Sequence, residues 1–194
     1  MAKENTPRFM ILGLLNHEDL SGYEIKKRID HLISHFWNAG YNQIYPSLAG
    51  LEMDGLVVKS VEDSGRGPQK HVYSITDAGR RALADWLVLP EEKEYTKYGI
   101  LLKLFFSGDL PVEKTVERIR AFRDRHQENA ARIRQYKSSL EPVLDQDADH
   151  LYYFLTILFG EHVYHAYLAW SDEALMLLET TNEGQNEGQE ERKN

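Results

Sequence analysis

The amide of Gln43 donates and accepts hydrogen bonds at once, which suits the edge of a nucleobase, and the Ser47 hydroxyl suits either a base or a phosphate oxygen. Between them lie Tyr45 and Pro46. Projected as a helix at about 100° per residue, this segment gathers Ile44, Leu48 and Leu51 on one side. Gln43, Pro46, Ser47, Ala49 and Gly50 fall on or near the other. Pro46, Ala49 and Gly50 are small or flat, so a backbone or a thymine methyl can approach closely. Tyr23 and Tyr45 offer hydroxyls to phosphate oxygens, although position 45 suits a core tyrosine equally. Lys26, Lys27 and Arg28 supply charge just upstream, and Arg66 and Lys70 supply it in a glycine-rich stretch downstream.

Covalent catalysis finds little support. The chain has no cysteine, which removes disulfides, thiol nucleophiles and cysteine-held zinc. It has no glycine-rich phosphate loop, no Gly-x-Ser-x-Gly elbow and no His-Glu-x-x-His. An enzyme is therefore not expected, nor a cofactor. Two histidine pairs, His31/His35 and His162/His165, have the i, i+4 and i, i+3 spacings that put two rings on one helical face. No third or fourth ligand accompanies either pair, so protonation-sensitive histidines are the expectation and no metal site is assigned.

The formal charge of −8 argues at first against a polyanionic partner. Its distribution weakens that objection: residues 1–90 carry 10 Lys/Arg against 11 Asp/Glu, and residues 91–194 carry 13 against 20. Phosphate binding needs a local cluster of cations rather than a basic total. The opening MAKENTPRF lacks the apolar core of an export signal, and the apolar run Leu151–Phe159 is too short to span a bilayer. A soluble cytoplasmic chain without a membrane partner is expected.

The elements that must hold these residues can be read from pattern. Thr6-Pro7 opens a first helix with Phe9, Leu12 and Leu15 on one face. Ser21-Gly22-Tyr23-Glu24 is a capping box for a second helix, with Ile25, Ile29, Leu32, Ile33 and Phe36 facing inward. A third helix starts near Asn42 or Gln43, with Pro46 in its first turn, and stops at Gly55. Alternation over Leu56–Val61 and His71–Ile75, split by a turn around Gly65-Arg66-Gly67-Pro68, predicts a β-hairpin. Thr76 caps a fourth helix that buries Ala82, Leu83, Trp86 and Leu87. This order is that of a winged helix-turn-helix. Beyond Pro90 the pattern is all helical, with a long helix from about 112 to 140 and another from about 150 to 180. The fold class is thus mainly α with a small β-hairpin. Residues 1–90 form the winged helix-turn-helix, 91–181 a helical dimerisation and effector domain, and 182–194 a Glu/Gln/Asn/Gly-rich disordered tail.

Several of these segments carry a resemblance. Leu20-Ser21-Gly22-Tyr23-Glu24-Ile25, Phe36-Trp37, Gln43-Ile44-Tyr45-Pro46-Ser47-Leu48, Leu51-Glu52-x-x-Gly55-Leu56-Val57 and Tyr73–Arg80, followed by Trp86-Leu87, resemble the PadR family of transcriptional regulators. The second half resembles that family's longer form, through Leu102–Phe106 and Tyr167-Leu168-x-Trp170. The resemblance implies a homodimeric repressor on operator DNA, released by a small effector. In one respect the chain departs from it: members commonly carry Arg or Lys where Gly50 stands, which removes an expected phosphate anchor.

Two copies related by a two-fold axis would read palindromic double-stranded DNA. The last helix, with Leu151, Phe154, Leu155, Leu158, Val163, Ala166, Trp170, Ala174, Leu177 and Leu178, offers more apolar surface than a lone helix exposes. It either joins the copies or packs within its own chain. Phe36, Trp37 and Tyr41, with Tyr164, His165 and Trp170, would suit a flat phenolic or otherwise hydrophobic effector; the same rings serve core and dimer packing at least as well. A second class of function, a helical adaptor that binds protein rather than DNA, stays open from sequence.

Overall fold

The computed structural model describes residues 6–34, 36–37, 39–62, 70–90 and 97–190. The chain divides into two units, Met1–Lys93 and Glu94–Asn194.

The first unit runs α1 (Thr6–Leu15), β1 (Leu20–Ser21), α2 (Gly22–Arg28), α3 (Tyr41–Met53), β2 (Val57–Glu62), β3 (Lys70–Ile75) and α4 (Asp77–Leu87). Its three strands are antiparallel in the order β1-β3-β2, with Leu20 opposite Tyr73 and Val57 opposite Ile75. One core serves all the helices: Ile11, Leu12 and Leu15 of α1 meet Ile25, Ile44, Leu48, Leu51, Val57 and Leu83. Phe9 stacks on Trp86 at 4.9 Å and closes α1 over α4. Of the fourth helix's expected inward residues, Leu83 is buried, Ala82 and Trp86 are half-buried, and Leu87 is exposed.

Caps fix the helix ends. Ser21 Oγ accepts from the Glu24 amide at 3.3 Å while a Glu24 carboxylate oxygen accepts from the Ser21 amide at 2.9 Å. The Thr76 hydroxyl accepts from the Gly79 amide at 3.1 Å. α3 ends in a Schellman pair, Leu56 N–H to Leu51 C=O at 2.9 Å and Gly55 N–H to Glu52 C=O at 3.1 Å, with Gly55 at φ +70°.

The second helix corrects the sequence reading. After Arg28 it continues as a π turn over Ile29–Ile33. Bonding from i to i+5 inserts an extra residue into the turn and rotates the later residues off the buried stripe. Ile25 and Ile29 are buried as expected, but Leu32 and Phe36 are about half exposed, at 46% and 50%.

The second unit consists of α5 (Gly99–Phe105), α6 (Val112–Leu140), a 3₁₀ turn (Glu141–Val143) and α7 (Ala148–Glu190). Pairs across α6 and α7 run in opposite directions along the two helices: Arg120 with Glu179 at 3.2 Å, Arg123 with Asp172 at 2.5 Å, Lys137 with Glu161 at 2.6 Å. The two therefore form an antiparallel hairpin. Its seam holds Thr115, Ile119, Phe122, Ala130 and Ile133 of α6 against Ile157 and Ser171 of α7. The last helix extends to Glu190, into the stretch that composition assigns to a disordered tail. Residues 191–194 lie outside the described ones. Among the described residues no helix is long and apolar enough to cross a membrane.

Candidate nucleic-acid interface

α2, the intervening segment and α3 have the helix-turn-helix order, and α3 presents one face outward. Ile44, Leu48 and Leu51 are fully buried, which pins the opposite side to solvent. Asn42, Gln43, Tyr45, Pro46 and Ala49 are exposed, and Met53 is 87% exposed. Ser47 is a correction: it is 8% exposed, because a residue three after Ile44 and four before Leu51 sits beside the buried stripe. Its hydroxyl does not face outward with Gln43.

Pro46 lies in the second turn, not the first, because the helix begins at Tyr41. Its ring removes the amide that would have bonded the Asn42 carbonyl. At Gly50 an added Cβ would meet nothing within 4 Å, so the missing cation of the family pattern reflects no lack of space.

Tyr45 is held rather than free. Its ring covers Gly22 so closely that a Cβ there would lie 2.7 Å from Tyr45 Cε1, and it stacks on Tyr41 at 6.0 Å. Lys26 in turn lies 5.7 Å from the centre of the Tyr41 ring and pairs with Asp30. Tyr41, assigned from sequence to an effector site, thus belongs to the packing between α2 and α3. Tyr45 keeps half its surface exposed, at 49%, and Tyr23 is 63% exposed.

The cations are distributed unevenly. Lys27 is exposed. Arg28 pairs with Glu18. Lys70, at the start of β3, donates to Glu24 at 2.9 Å and so ties the hairpin to the N-terminus of α2. The Ser21 amide, the Ser21 hydroxyl and then Lys70 hold the Glu24 carboxyl down to about 2. Arg66 lies outside the described residues.

The second unit holds an aromatic cluster around His126, a residue the sequence reading did not single out. His126 lies 4.2 Å from the Phe122 ring, 4.6 Å from Tyr167 and 5.7 Å from Tyr164. Its Nδ1 is buried with no hydrogen-bond partner, and burial, then the Arg125 charge, push its pKa down. Tyr167 donates to the Tyr98 hydroxyl at 3.2 Å and, mainly through burial, is raised to about 12. The signal was the i, i+4 pair Phe122/His126 facing the i, i+3 pair Tyr164/Tyr167. Beside this cluster a cavity of about 800 Å³ is walled by Leu104, Pro111, Ile119, Trp170 and Leu177. Of the six residues considered for an effector, Trp170 alone lines it; Tyr164 belongs to the ring cluster, His165 is exposed on α7, and Phe36, Trp37 and Tyr41 belong to the first unit. His162 is exposed as well, and among the described residues no three His, Asp or Glu side chains gather as for a metal.

Comparison with known proteins decides what this arrangement is. Residues 11–85 match the Transcriptional regulator PadR-like family, and residues 96–179 match the Virulence activator alpha C-term family. The chain belongs to the PadR-like family of transcriptional regulators. Its relatives are regulators of transcription, not enzymes. The negative transcriptional regulator PadR of Bacillus subtilis is 30% identical over 138 residues, which is 71% of this chain and 74% of that protein. The crystal structure of Bacillus subtilis PadR in complex with operator DNA aligns with a TM-score of 0.75 and 25% identity, over 88% of this chain and 98% of that one. The structure of the same PadR with p-coumaric acid shares the fold, with a TM-score of 0.70 and 23% identity over 92% and 99% of the two chains. The winged helix-turn-helix and helical second half expected from sequence are those of the family.

Proposed function

We propose that this chain is a homodimeric repressor whose α3 lies in the major groove of a palindromic operator. The observation that carries the reading is the outward face of α3: amides at Asn42 and Gln43, with flat or small Pro46 and Ala49, opposite a fully buried stripe. Tyr23, Tyr45 and Lys27 lie on α2 and α3 where they suit phosphate oxygens; Lys26 and Lys70 serve if they leave their carboxylate partners. Arg66, in the segment between β2 and β3, is the further candidate for the backbone or the adjacent minor groove. The operator complex of Bacillus subtilis PadR supports the assignment.

The second unit is the clasp. α5 has five apolar residues among seven and buries none of them. Phe105 and Phe106 are 82% and 73% exposed, with Leu102, Phe159 and Leu177 each at 60% or more. Apolar surface on that scale marks an interface. Two copies joined there would offer two α3 helices to half-sites that such dimers read about one DNA turn, roughly 34–36 Å, apart.

Release by a small aromatic or hydrophobic ligand completes the reading. The p-coumaric acid complex of PadR supports it, as does the Trp170-walled cavity in this chain.

The test is a fluorescence anisotropy titration of a labelled duplex from the chain's own upstream region, with wild type and the double variant Asn42→Ala, Gln43→Ala, beside sedimentation of both. Weaker binding by the variant at unchanged dimer mass is expected. Unchanged binding would remove α3 from the reading role, and a monomeric wild type would remove the dimer.

A further inference from the structure

We infer that α3 reads A·T rather than G·C base pairs, with Asn42 as the adenine-reading amide and Ala49 and Met53 as the surface for thymine methyls. This rests on the proposal that α3 is the groove helix.

The donors and acceptors available on α3 decide it. Guanine is read in the major groove chiefly by Arg or Lys on O6 and N7. From Tyr41 to Met53 the helix contains neither. Cytosine is read by a carboxylate accepting from its amino group. The carboxylates near the end of α3 lie off the Asn42 face: Asp54 follows the helix and is paired with Arg8, and Glu52, exposed in the last turn, sits about 80° round the helix from Asn42. Neither base of a G·C pair therefore finds its usual partner on the face of this helix that Asn42 centres.

The A·T pair does. Asparagine and glutamine match the N6–H donor and N7 acceptor of adenine. Asn42 occupies the second position of α3, in the N-terminal turn that reaches base edges. The bare N-cap at Gly40 makes room for it: a Cβ there would lie 2.6 Å from Asn42 Oδ1. At about 100° per residue, Pro46, Ala49 and Met53 share its face, opposite the buried Ile44 and Leu51. All three are apolar and exposed, Met53 at 87%, which is unfavourable in water and suits the thymine methyl of the same pair. Gln43, singled out from sequence, lies on the flank of this face, and Asn42 lies at its centre.

The experiment is selection of bound duplexes from a random library by the full-length chain, followed by titration of the winning duplex and of the same duplex with deoxyuridine replacing thymidine in the half-sites. Enrichment of A·T pairs at symmetric positions is expected, with weaker binding once the methyls are removed. The uridine arm uses the unaltered protein and so is independent of any folding defect. Asn42→Ala, at an exposed position, should lose discrimination at one base pair per half-site by about 5- to 150-fold. Selection of G·C pairs at those positions, or indifference to both the methyls and Asn42→Ala, overturns the inference and leaves DNA binding intact. No salt-sensitive binding to any library duplex overturns the groove assignment itself, and this inference with it.

Discussion

Gly79 has no room for a side chain. A Cβ there would lie 2.2 Å from the Leu56 carbonyl oxygen and 2.8 Å from Ile75 Cγ1, so α4 packs backbone to backbone against the start of β2. Gly79→Ala should destabilise the first unit by about 1–3 kcal/mol, read as a lower urea midpoint. An unchanged midpoint would show that α4 can shift freely. His126 makes a prediction about pH. Its folded-state pKa is depressed by burial and by Arg125, whereas the unfolded chain titrates near 6.5. The unfolded state therefore takes up the proton first, so this contribution is intact above pH about 6.5 and is lost as pH falls below it. Thermal melts from pH 7.5 to 5.5 should show wild type losing more stability than His126→Phe; parallel curves would mean the ring is solvated. Neither residue was legible as such. Gly79 stands in a motif the sequence displays, but the carbonyl it accommodates is 23 residues away in the chain, and the His126 cluster depends on how α6 and α7 align, which neither helix encodes alone.

Local rules and tertiary demands conflict at two places on the DNA-facing elements. Pro46 interrupts α3 from within, at a position where proline normally costs about 3 kcal/mol. Pro46→Ala should raise the unfolding midpoint while weakening DNA binding, the pattern of a residue kept for a surface rather than for stability. A variant that is both less stable and weaker would deny that role. The Glu24–Lys70 pair is the second case. Glu24 caps α2 and also neutralises a hairpin cation that the groove reading would assign to phosphate. Glu24→Gln should remove that countercharge, tighten DNA binding and steepen the salt dependence by up to about 0.9 per half-site. Looser binding would indicate that the pair sets the hairpin angle instead. Element order, both capping motifs and the stop at Gly55 were readable because each is written in a few adjacent residues. The two-residue β1 has no period to read. The π turn after Arg28 gives no local signal, and it is why Leu32 and Phe36 were misplaced.

For the molecule as a whole, the first unit has a full core of its own, whereas the second leaves much of its apolar surface in solvent. On the proposed reading a second copy covers that surface and also supplies the second half-site contact. Phe105→Asp with Phe106→Asp should yield a monomer by sedimentation, with the first unit still folded and operator affinity sharply reduced. A dimer that survives both changes would move the interface away from α5. The second half is acidic, with 13 Lys/Arg against 20 Asp/Glu in residues 91–194, so on the proposed reading binding rests on a few local contacts of the first unit made twice. Salt dependence measures that number directly. The decisive experiment is titration of the full-length chain onto its own upstream duplex at about 50 and 200 mM salt, where a protein neutralising roughly six to ten phosphates loses about 10³–10⁵ in affinity. Two α3 helices and their hairpins on one operator predict a loss of that order. Binding that ignores salt, or no binding at the lower concentration, would contradict it.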